Sequence, residues 1–172
     1  MPSRAGRSDW RTWGSYDLGP KPAAPSPEGK YDIMKADYSF ITAVTPTEEK
    51  ELAELYREAG WWDGNDDGAW IRELPQRSVL FLIARCEGKI VGMGRVIADG
   101  ISDGYLQDVF VSETFRKQKI GAELVRTLTE AAAAMGIDWL LLIAAPGKTE
   151  FYEALGYHVM QQHVPMRFGG RP

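Results

Sequence analysis

The segment 104–145 predicts a strand, a basic turn, a long helix and a second strand, in that order. The helix stops at Gly136 and has one apolar face, which comprises Ile120, Leu124, Val125, Leu128 and Ala131 or Ala132. The run DWLLLIAA that follows is apolar from Trp139 onward, as is typical of a strand covered on both faces. Two such strands joined by a helix form a right-handed parallel crossover. The chain is therefore restricted to mixed α/β folds.

Other elements flank this crossover, in the overall order β, α, α, β, β, β, α, β, α, β. Thr45 and Pro46, followed by glutamates, predict the start of a helix that stops at Gly60. Two β-rich runs joined at Gly88 predict a hairpin over residues 78–99. The remaining predicted elements are strands at 38–44, 104–111, 138–145 and 157–166, and short helices at 66–75, ending before Pro75, and at 148–156.

Composition and charge limit the domain organisation and the class of partner. Residues 1–30 contain a Pro-Ala-Ser-rich stretch and no periodic pattern, so we interpret them as a flexible N-terminal tail and residues 31–172 as a single domain. The formal net charge of −4 argues against nucleic acid as a partner and favours a cationic substrate. The single cysteine, Cys86, excludes an internal disulfide, and no apolar run is long enough to span a membrane. These features predict a cytoplasmic protein that does not act on membranes.

The basic turn ETFRKQKIGAEL lies where the predicted crossover helix begins. A helix start has several unpaired N–H groups and the positive end of the helix dipole, so it stabilises a bound anion. Gly121 permits close approach to the backbone, while Arg116, Lys117 and Lys119 supply charge suited to a diphosphate. The alternative is a solvated basic helix start that binds no ligand.

Three stretches along the chain resemble motifs of the GCN5-related N-acetyltransferase (GNAT) superfamily. The stretch Arg116-Lys117-Gln118-Lys119-Ile120-Gly121 is similar to the family's acyl-CoA loop, Q/R-x-x-G-x-G/A, FYEALGY to its FYxxxGF segment, and GKIVGMGRV to its central hairpin. The resemblance covers most of residues 40–160. It implies a mostly antiparallel central sheet with one parallel crossover, and acetyl-CoA as co-substrate.

One residue departs from the family pattern, because Lys119 occupies the position where the family usually has its first loop glycine. A non-glycine residue with a helical φ would still donate its N–H there, so we expect CoA binding to persist. The resemblance implies that the pantetheine arm lies in a gap between the two crossover strands, pairing with backbone near Val109, Phe110 and Val111. The diphosphate would then be held by the loop residues Arg116, Lys117, Gln118, Lys119, Ile120, Gly121 and Ala122.

The resemblance also implies direct attack of an amine on the thioester through a tetrahedral intermediate. Tyr152 matches the family's tyrosine, and a phenol keeps its proton at neutral pH, so it is the expected acid for the leaving thiolate. Strand alternation predicts Tyr105, Gln107 and Val109 on one face and Leu106, Asp108 and Phe110 on the other. Gln107 is expected to orient a water or the substrate, with deprotonation through water. Asp108 would be the base only if a bulge turned it inward; pairing with a neighbouring residue is the alternative.

The segment GWWDGNDDGAWIREL is expected to form the wall of the acceptor site, because this region does so in the family. Aromatic and acidic side chains there suit an ammonium group on an apolar body, and the expected acceptor contacts are Trp61, Trp62, Asp63, Trp70 and Tyr105. The alternative places Trp61 or Trp70 in the core and the aspartates in helix caps and a solvated turn. His158 and His163 lack a third ligand, so no metal site is predicted.

These observations favour an acetyl-CoA-dependent N-acetyltransferase acting on a small cationic or aromatic amine or on a peptide amine. A non-catalytic acyl-CoA-binding sensor is the second possibility, and an interaction module that uses the aromatic residues of the tail is the third. Pairing of the C-terminal strand YHVM across a homodimer is a further expectation.

Overall fold

The computed structural model describes residues 35–169, and the predicted tail lies outside them. The described part contains one five-stranded sheet, whose spatial order follows the chain. Its strands are β1 (Asp37–Phe40), β2 (Leu80–Cys86), β3 (Lys89–Ala98), β4 (Asp103–Val111) and β5 (Trp139–Leu141). All neighbours are antiparallel except β4 and β5, which are parallel. The predicted mixed α/β fold with one parallel crossover is therefore confirmed.

Four α-helices accompany the sheet in the described residues: α1 (Pro46–Glu58), α2 (Leu74–Arg77), α3 (Ile120–Ala134) and α4 (Thr149–Glu153). Two 3₁₀ turns, Ala69–Glu73 and Glu113–Phe115, precede α2 and α3. Among residues 35–169, no helix has the length and apolar character needed to cross a membrane.

The two faces of the sheet bury two separate apolar clusters. Alternate residues of β2 belong to different clusters. Leu82 and Ala84 pack beneath α3, whereas Phe81 and Ile83 pack beneath α1. The predicted apolar face of α3 is buried, with Ala132 as its last member. Residues of α4 and the segment after it pack against the α3-side cluster. The sheet is thus a rigid platform between the α1 face and the α3 face.

Local sequence signals explain where α1 begins and where the hairpin turns. The Thr45 hydroxyl accepts from the Glu48 N–H, and the Glu48 carboxylate accepts from the Thr45 N–H, so a capping box forms at the predicted helix start. Glu87 and Gly88 both have positive φ, 51° and 82°, as a two-residue type I′ hairpin turn requires. Both predictions are confirmed.

A β-bulge interrupts β4. Gly94 of β3 lies between the pairs Met93–Phe110 and Arg95–Gln107, so it faces both Asp108 and Val109. Asp108 has a left-handed backbone, with φ 54°. Leu106 and Val109 consequently both pack on the α3 side, whereas Phe110 packs on the α1 side. The predicted strict alternation, which placed Leu106 with Asp108 and Phe110, is wrong because the bulge inserts one residue.

The bulge brings Asp108 into a half-buried polar network on the α1 face. The Tyr56 hydroxyl donates to Asp108 Oδ2 over 2.7 Å, and Arg95 Nε donates to the same oxygen over 2.6 Å. Arg95 Nη2 also donates to Gln107 Oε1 over 2.8 Å. Burial, followed by the negative charge of Asp108, raises the pKa of the Tyr56 phenol far above its ordinary range.

Three further sequence predictions are wrong. The predicted strand 138–145 is limited to Trp139–Leu141 and is not covered on both faces, because Trp139 is 37% and Ile143 64% exposed. Residues 157–166 form no strand, and Val159 and Val164 there are exposed. An apolar segment with no neighbouring strand gains neither interstrand hydrogen bonds nor burial, so its β-propensity alone does not make it a strand. Pro75 does not end a helix but lies in the first turn of α2, where its missing N–H is not needed.

Replacing Tyr56 with phenylalanine tests this network. The change removes a hydrogen bond to a charged group, so we expect the free energy of unfolding at neutral pH to fall by about 1.5–3 kcal/mol. Because the folded-state pKa is raised, the hydroxyl's contribution is complete below about pH 10 and declines as the pH rises further, since the unfolded phenol ionises there. Urea denaturation measured at pH 7 and above pH 10 should therefore show the difference between variant and wild type narrowing.

The matched control is Tyr157→Phe, because the Tyr157 hydroxyl bonds only to the neutral Thr129 hydroxyl, over 2.6 Å. We expect a smaller loss, of about 1 kcal/mol. Equal losses in both variants would contradict a charge-assisted bond at Tyr56.

Candidate active site

The edge of β4 that faces β5 is paired for only part of its length. The parallel register runs from Asp103–Trp139 to Tyr105–Leu141 and then ends, while β4 continues to Val111. In the described part of the chain, residues 106–111 therefore have no strand partner on that side. This is the gap between crossover strands that the sequence resemblance implies, and it leaves main-chain groups of β4 available to a ligand.

The basic turn between β4 and α3 has an unusual backbone. Lys117 and Lys119 have left-handed φ values of 63° and 65°, and Lys119 is the N-cap of α3. The expected helical φ at Lys119 is therefore wrong; this residue adopts the conformation that a glycine would favour at the same position. The left-handed lysines make the chain turn sharply into the helix.

The N–H groups from Lys117 to Ala122 are without protein partners. No group within residues 35–169 accepts a hydrogen bond from any of these N–H groups, and no side chain caps the helix start. The first N–H groups of a helix have no intrahelical acceptor, so this row is available to an anion. The Oε1 atom of Gln118 is also buried without a hydrogen-bond partner. A buried amide oxygen without a partner is uncommon in folded proteins and indicates an incomplete set of contacts.

Gly121 leaves space beside this row that the protein itself does not need. A Cβ atom built there would lie 3.6 Å from Val111 Cγ2 and 3.7 Å from Phe151 Cζ, which are ordinary van der Waals contacts. Packing within the described residues therefore does not require a glycine at this position. The surface beside Gly121 is free for the close approach of a ligand.

The three predicted cations of the turn differ in what they contact. Lys117 and Lys119 are exposed and form no ion pair within the described residues. Arg116, in contrast, donates from Nη1 to Glu113 over 2.9 Å and from Nε to the Val111 carbonyl over 3.0 Å, and it lies 5.2 Å above the ring of Phe110. Its charge and the Val111 carbonyl are thus already engaged by the protein, whereas the two lysines are free.

Tyr152 lies on α4, against the α3-side cluster. Its ring makes edge contacts with Phe151 and Tyr157, at centroid distances of 5.0 and 5.8 Å. Burial, and secondarily the neighbouring Tyr157, raises the pKa of the Tyr152 phenol, so the hydroxyl stays protonated at neutral pH. No residue in the described part of the chain forms a hydrogen bond with this hydroxyl. It is therefore free to donate its proton to a ligand.

Tyr157 fixes the packing of Tyr152. The Thr129 hydroxyl donates to the Val125 carbonyl over 2.8 Å, so it must accept from the Tyr157 hydroxyl. The Tyr157 ring is thereby held against α3. Sequence reasoning did not find this contact, because it joins a helix residue to a residue beyond α4.

The predicted acceptor residues lie together in one hollow of about 420 Å³, lined by Gly60, Trp61, Trp62, Asp63, Asp66 and Trp70. Trp61, Trp62, Asp63 and Trp70 are thus brought together as predicted. Tyr105 does not line the hollow; its hydroxyl contacts the backbone of Ile143 instead, and burial raises its pKa. The hollow is open, aromatic and bordered by carboxylates.

The carboxylates of the hollow form hydrogen bonds mostly with residues of their own loop. Asp66 Oδ1 accepts from the indole N–H groups of Trp62 and Trp70, over 3.1 and 3.3 Å, and from the Gly68 N–H. Both oxygens of Asp63 accept from Asn65. Asp63 and Asp66 therefore cap turns of their own loop, as the alternative interpretation proposed.

Trp61 and Trp62 differ in what covers their rings. The guanidinium of Arg57 lies 4.2 Å from the ring centroid of Trp62, so that ring already makes a cation–π contact within the protein. Trp61 is half exposed and meets Tyr56 and Phe110 edge to face, each at 5.8 Å. Trp61 thereby joins the hollow to the bulge region of β4.

Comparisons with known proteins find similar sequences and similar folds. A 74-residue stretch is 34% identical to an IAA acetyltransferase from Azospirillum brasilense, covering 42% of this chain and 48% of that protein. The chain thus spans about half the length of this relative. Two solved structures share the fold: a GNAT family acetyltransferase from Streptococcus pneumoniae, with a TM-score of 0.65 and 20% identity, and glucosamine-6-phosphate N-acetyltransferase from Arabidopsis thaliana, with a TM-score of 0.62 and 18% identity.

The aligned regions are extensive in both structures. The first comparison covers 80% of this chain and 100% of the other, and the second covers 77% and 99%. The model of the acetyltransferase (GNAT) domain matches residues 77–159, which include the hairpin, the bulge of β4, the basic turn and Tyr152. The resemblance predicted from the motifs is confirmed over residues 77–159, which match the acetyltransferase (GNAT) domain.

Proposed function

We propose that the protein is an N-acetyltransferase that transfers an acetyl group from acetyl-CoA to a primary amine. The observation that carries the proposal is the row of partner-free N–H groups from Lys117 to Ala122, adjacent to the unpaired edge of β4. The acceptor is a small cationic or aromatic amine or a peptide amine, and the protein acts in the cytoplasm. The reduced, buried thiol of Cys86 is compatible with that compartment.

The residues of the turn fit acetyl-CoA, which supplies a thioester-activated acetyl group. Lys117 and Lys119 add charge to the N–H row, and the orphaned Gln118 oxygen provides an acceptor beside it. The unpaired backbone of β4 near Val109 and Phe110 provides donors and acceptors for the amides of the pantetheine arm. Arg116 contributes indirectly, by holding the ring of Phe110 and the end of β4 in place.

Three proton transfers accompany the reaction. A cationic acceptor first loses one proton to solvent, because only the neutral amine attacks. The nitrogen loses a second proton as its bond to the acetyl carbon forms, and the departing thiolate gains one as the carbon–sulfur bond breaks. The Tyr152 hydroxyl, protonated and without a protein partner, donates to the thiolate. Gln107 lacks a basic group, so it orients the acceptor or a water molecule that removes the second proton.

The aromatic hollow supports the choice of acceptor. Its exposed indole surfaces suit an apolar body, and the acidic border attracts a cation by charge. The two named relatives that are acetyltransferases of defined substrates act on different molecules, so the acceptor is inferred from this chain's own residues. A homodimer remains a prediction.

Removal of the two free lysine charges tests cofactor binding. We expect Lys117→Asn/Lys119→Asn to raise the Kd for CoA about tenfold at low salt, equivalent to ~1.4 kcal/mol, and the difference to shrink as salt screens the charges. Asparagine tolerates a left-handed backbone, so the turn and its N–H row are preserved. Isothermal titration calorimetry at two ionic strengths measures the effect.

The control removes two positive charges from the first helices, as Lys50→Asn/Arg77→Asn. Its Kd for CoA should stay within about twofold of the wild type, because exposed charges beyond a Debye length are screened. Equal weakening in both double variants would contradict a specific role of the turn.

Replacing Tyr152 with phenylalanine tests the acid. Loss of the proton donor should lower kcat by about 10²-fold or more while the Kd for CoA changes little. Release of free CoA thiol in the presence of a panel of amines measures turnover. Tyr157→Phe is the matched control and should retain most of the activity; unchanged turnover in Tyr152→Phe would remove Tyr152 from the mechanism.

The same assays separate the other two functions. A protein that binds CoA but releases no thiol with any amine is an acyl-CoA sensor, and one whose melting temperature does not respond to CoA is an interaction module.

A further inference from the structure

We infer that Asp108, at the bulge of β4, binds the amino group of the acceptor and thereby selects positively charged primary amines carried on an aromatic body. The inference rests on the proposed function, because it takes the acceptor to be an amine. It assigns a contact to a residue for which strand alternation alone predicted no inward position.

The first observation is the backbone that places Asp108. A left-handed φ is unfavourable at a residue other than glycine and persists where the surrounding structure enforces it. Here the partner strand enforces it, because Gly94 faces two residues of β4 and has no room for a side chain. A Cβ at Gly94 would lie 2.8 Å from Leu128 Cδ1 and 3.4 Å from Val109 Cγ2. Gly94 and the left-handed Asp108 together turn this carboxylate to the α1 face.

The second observation is the asymmetry of the carboxylate. Both protein donors, the Tyr56 hydroxyl and Arg95 Nε, bond to Oδ2. Oδ1 accepts no hydrogen bond from any residue between 35 and 169. The side chain is 21% exposed, whereas Tyr56 is buried. One oxygen is therefore fixed by the protein, and the other is preorganised to accept from a ligand.

The third observation compares Asp108 with the two carboxylates that line the aromatic hollow. Asp63 uses both oxygens for Asn65, and Asp66 lies in an exposed part of the loop. An ion pair in an exposed setting contributes little, because water and salt screen it. Arg95 offsets part of the charge of Asp108, but the lower effective dielectric constant at a half-buried carboxylate strengthens a charge-assisted hydrogen bond from an ammonium group to the open Oδ1. Asp108 is better placed than Asp66 to discriminate by charge.

Position and aromatic contacts define the class of ligand. Asp108 belongs to the stretch of β4 without a partner on the β5 side, where the acetyl donor is proposed to lie. Its partner Tyr56 meets Trp61 and Trp70 edge to face, at 5.8 and 5.1 Å, and Trp61 meets Phe110. An amine hydrogen-bonded to Oδ1 would thus have aromatic surface beside it for a ring or short apolar chain.

Asp108→Asn tests the inference, because asparagine keeps the size and tolerates the left-handed backbone while removing the charge. The probes are phenethylamine, which is cationic at neutral pH, and phenylacetic hydrazide, a neutral nucleophile of similar length. We expect the KM for phenethylamine, and its Kd from tryptophan fluorescence, to rise about tenfold or more, the equivalent of ~1.4 kcal/mol. The KM for the hydrazide and the Kd for CoA should stay within about twofold of the wild type.

Two further variants keep the test decisive. Asp37→Asn, which removes an exposed carboxylate at the start of β1, away from the hollow, is the matched control and should change none of these constants by more than about twofold. Asp108→Gly preserves the positive φ and replaces Asp108→Asn if the latter fails to fold, as judged by thermal unfolding and CoA binding. Equal losses for both nucleophiles, unchanged phenethylamine constants, or wild-type protein that does not bind phenethylamine would each overturn the inference. Wild-type protein that binds phenethylamine and CoA but acetylates no amine contradicts the proposed function alone.

Discussion

The early end of pairing between β4 and β5 is the constraint on which the rest of the site depends. After Tyr105 the two strands no longer share hydrogen bonds, although β4 continues to Val111. Main-chain groups of β4 are left open beside the start of α3, whose N–H groups are also open. Unpaired backbone groups are stable only where water or a ligand satisfies them. A gap of this kind beside a cationic helix start suits a ligand with both amides and phosphates.

Contacts between side chains connect the two halves of the site. Arg116, from the basic turn, lies over the ring of Phe110, and Phe110 meets Trp61 edge to face. Trp61 meets Tyr56, whose hydroxyl is bonded to Asp108. The basic turn, the aromatic hollow and the bulge therefore form one continuous set of contacts on the α1 face. Side chains packed in this way restrict one another's rotamers, so the proposed acceptor site is preorganised rather than assembled from loose loops.

Sequence patterns predicted the parts of the fold that local chemistry determines. The helix start at Thr45, the Gly88 turn and the apolar face of α3 each depend on residues near one another in the chain. The bulge at Asp108 was not predicted, because it depends on Gly94 of the neighbouring strand. The left-handed Lys119 and the absent strand at 157–166 likewise depend on tertiary context, which overrides residue preference. The four tryptophan and aspartate contacts predicted for the acceptor did come together, since they occupy one short loop.

The most direct measurement is a titration of ¹⁵N-labelled protein with CoA, followed by amide chemical shifts. The account predicts that the largest shifts fall on the amides from Lys117 to Ala122, with smaller shifts at Val109 and Phe110 and none at the capping box around Thr45. A saturating titration that leaves the amides from Lys117 to Ala122 unshifted, or that concentrates its shifts in another part of the chain, would contradict it.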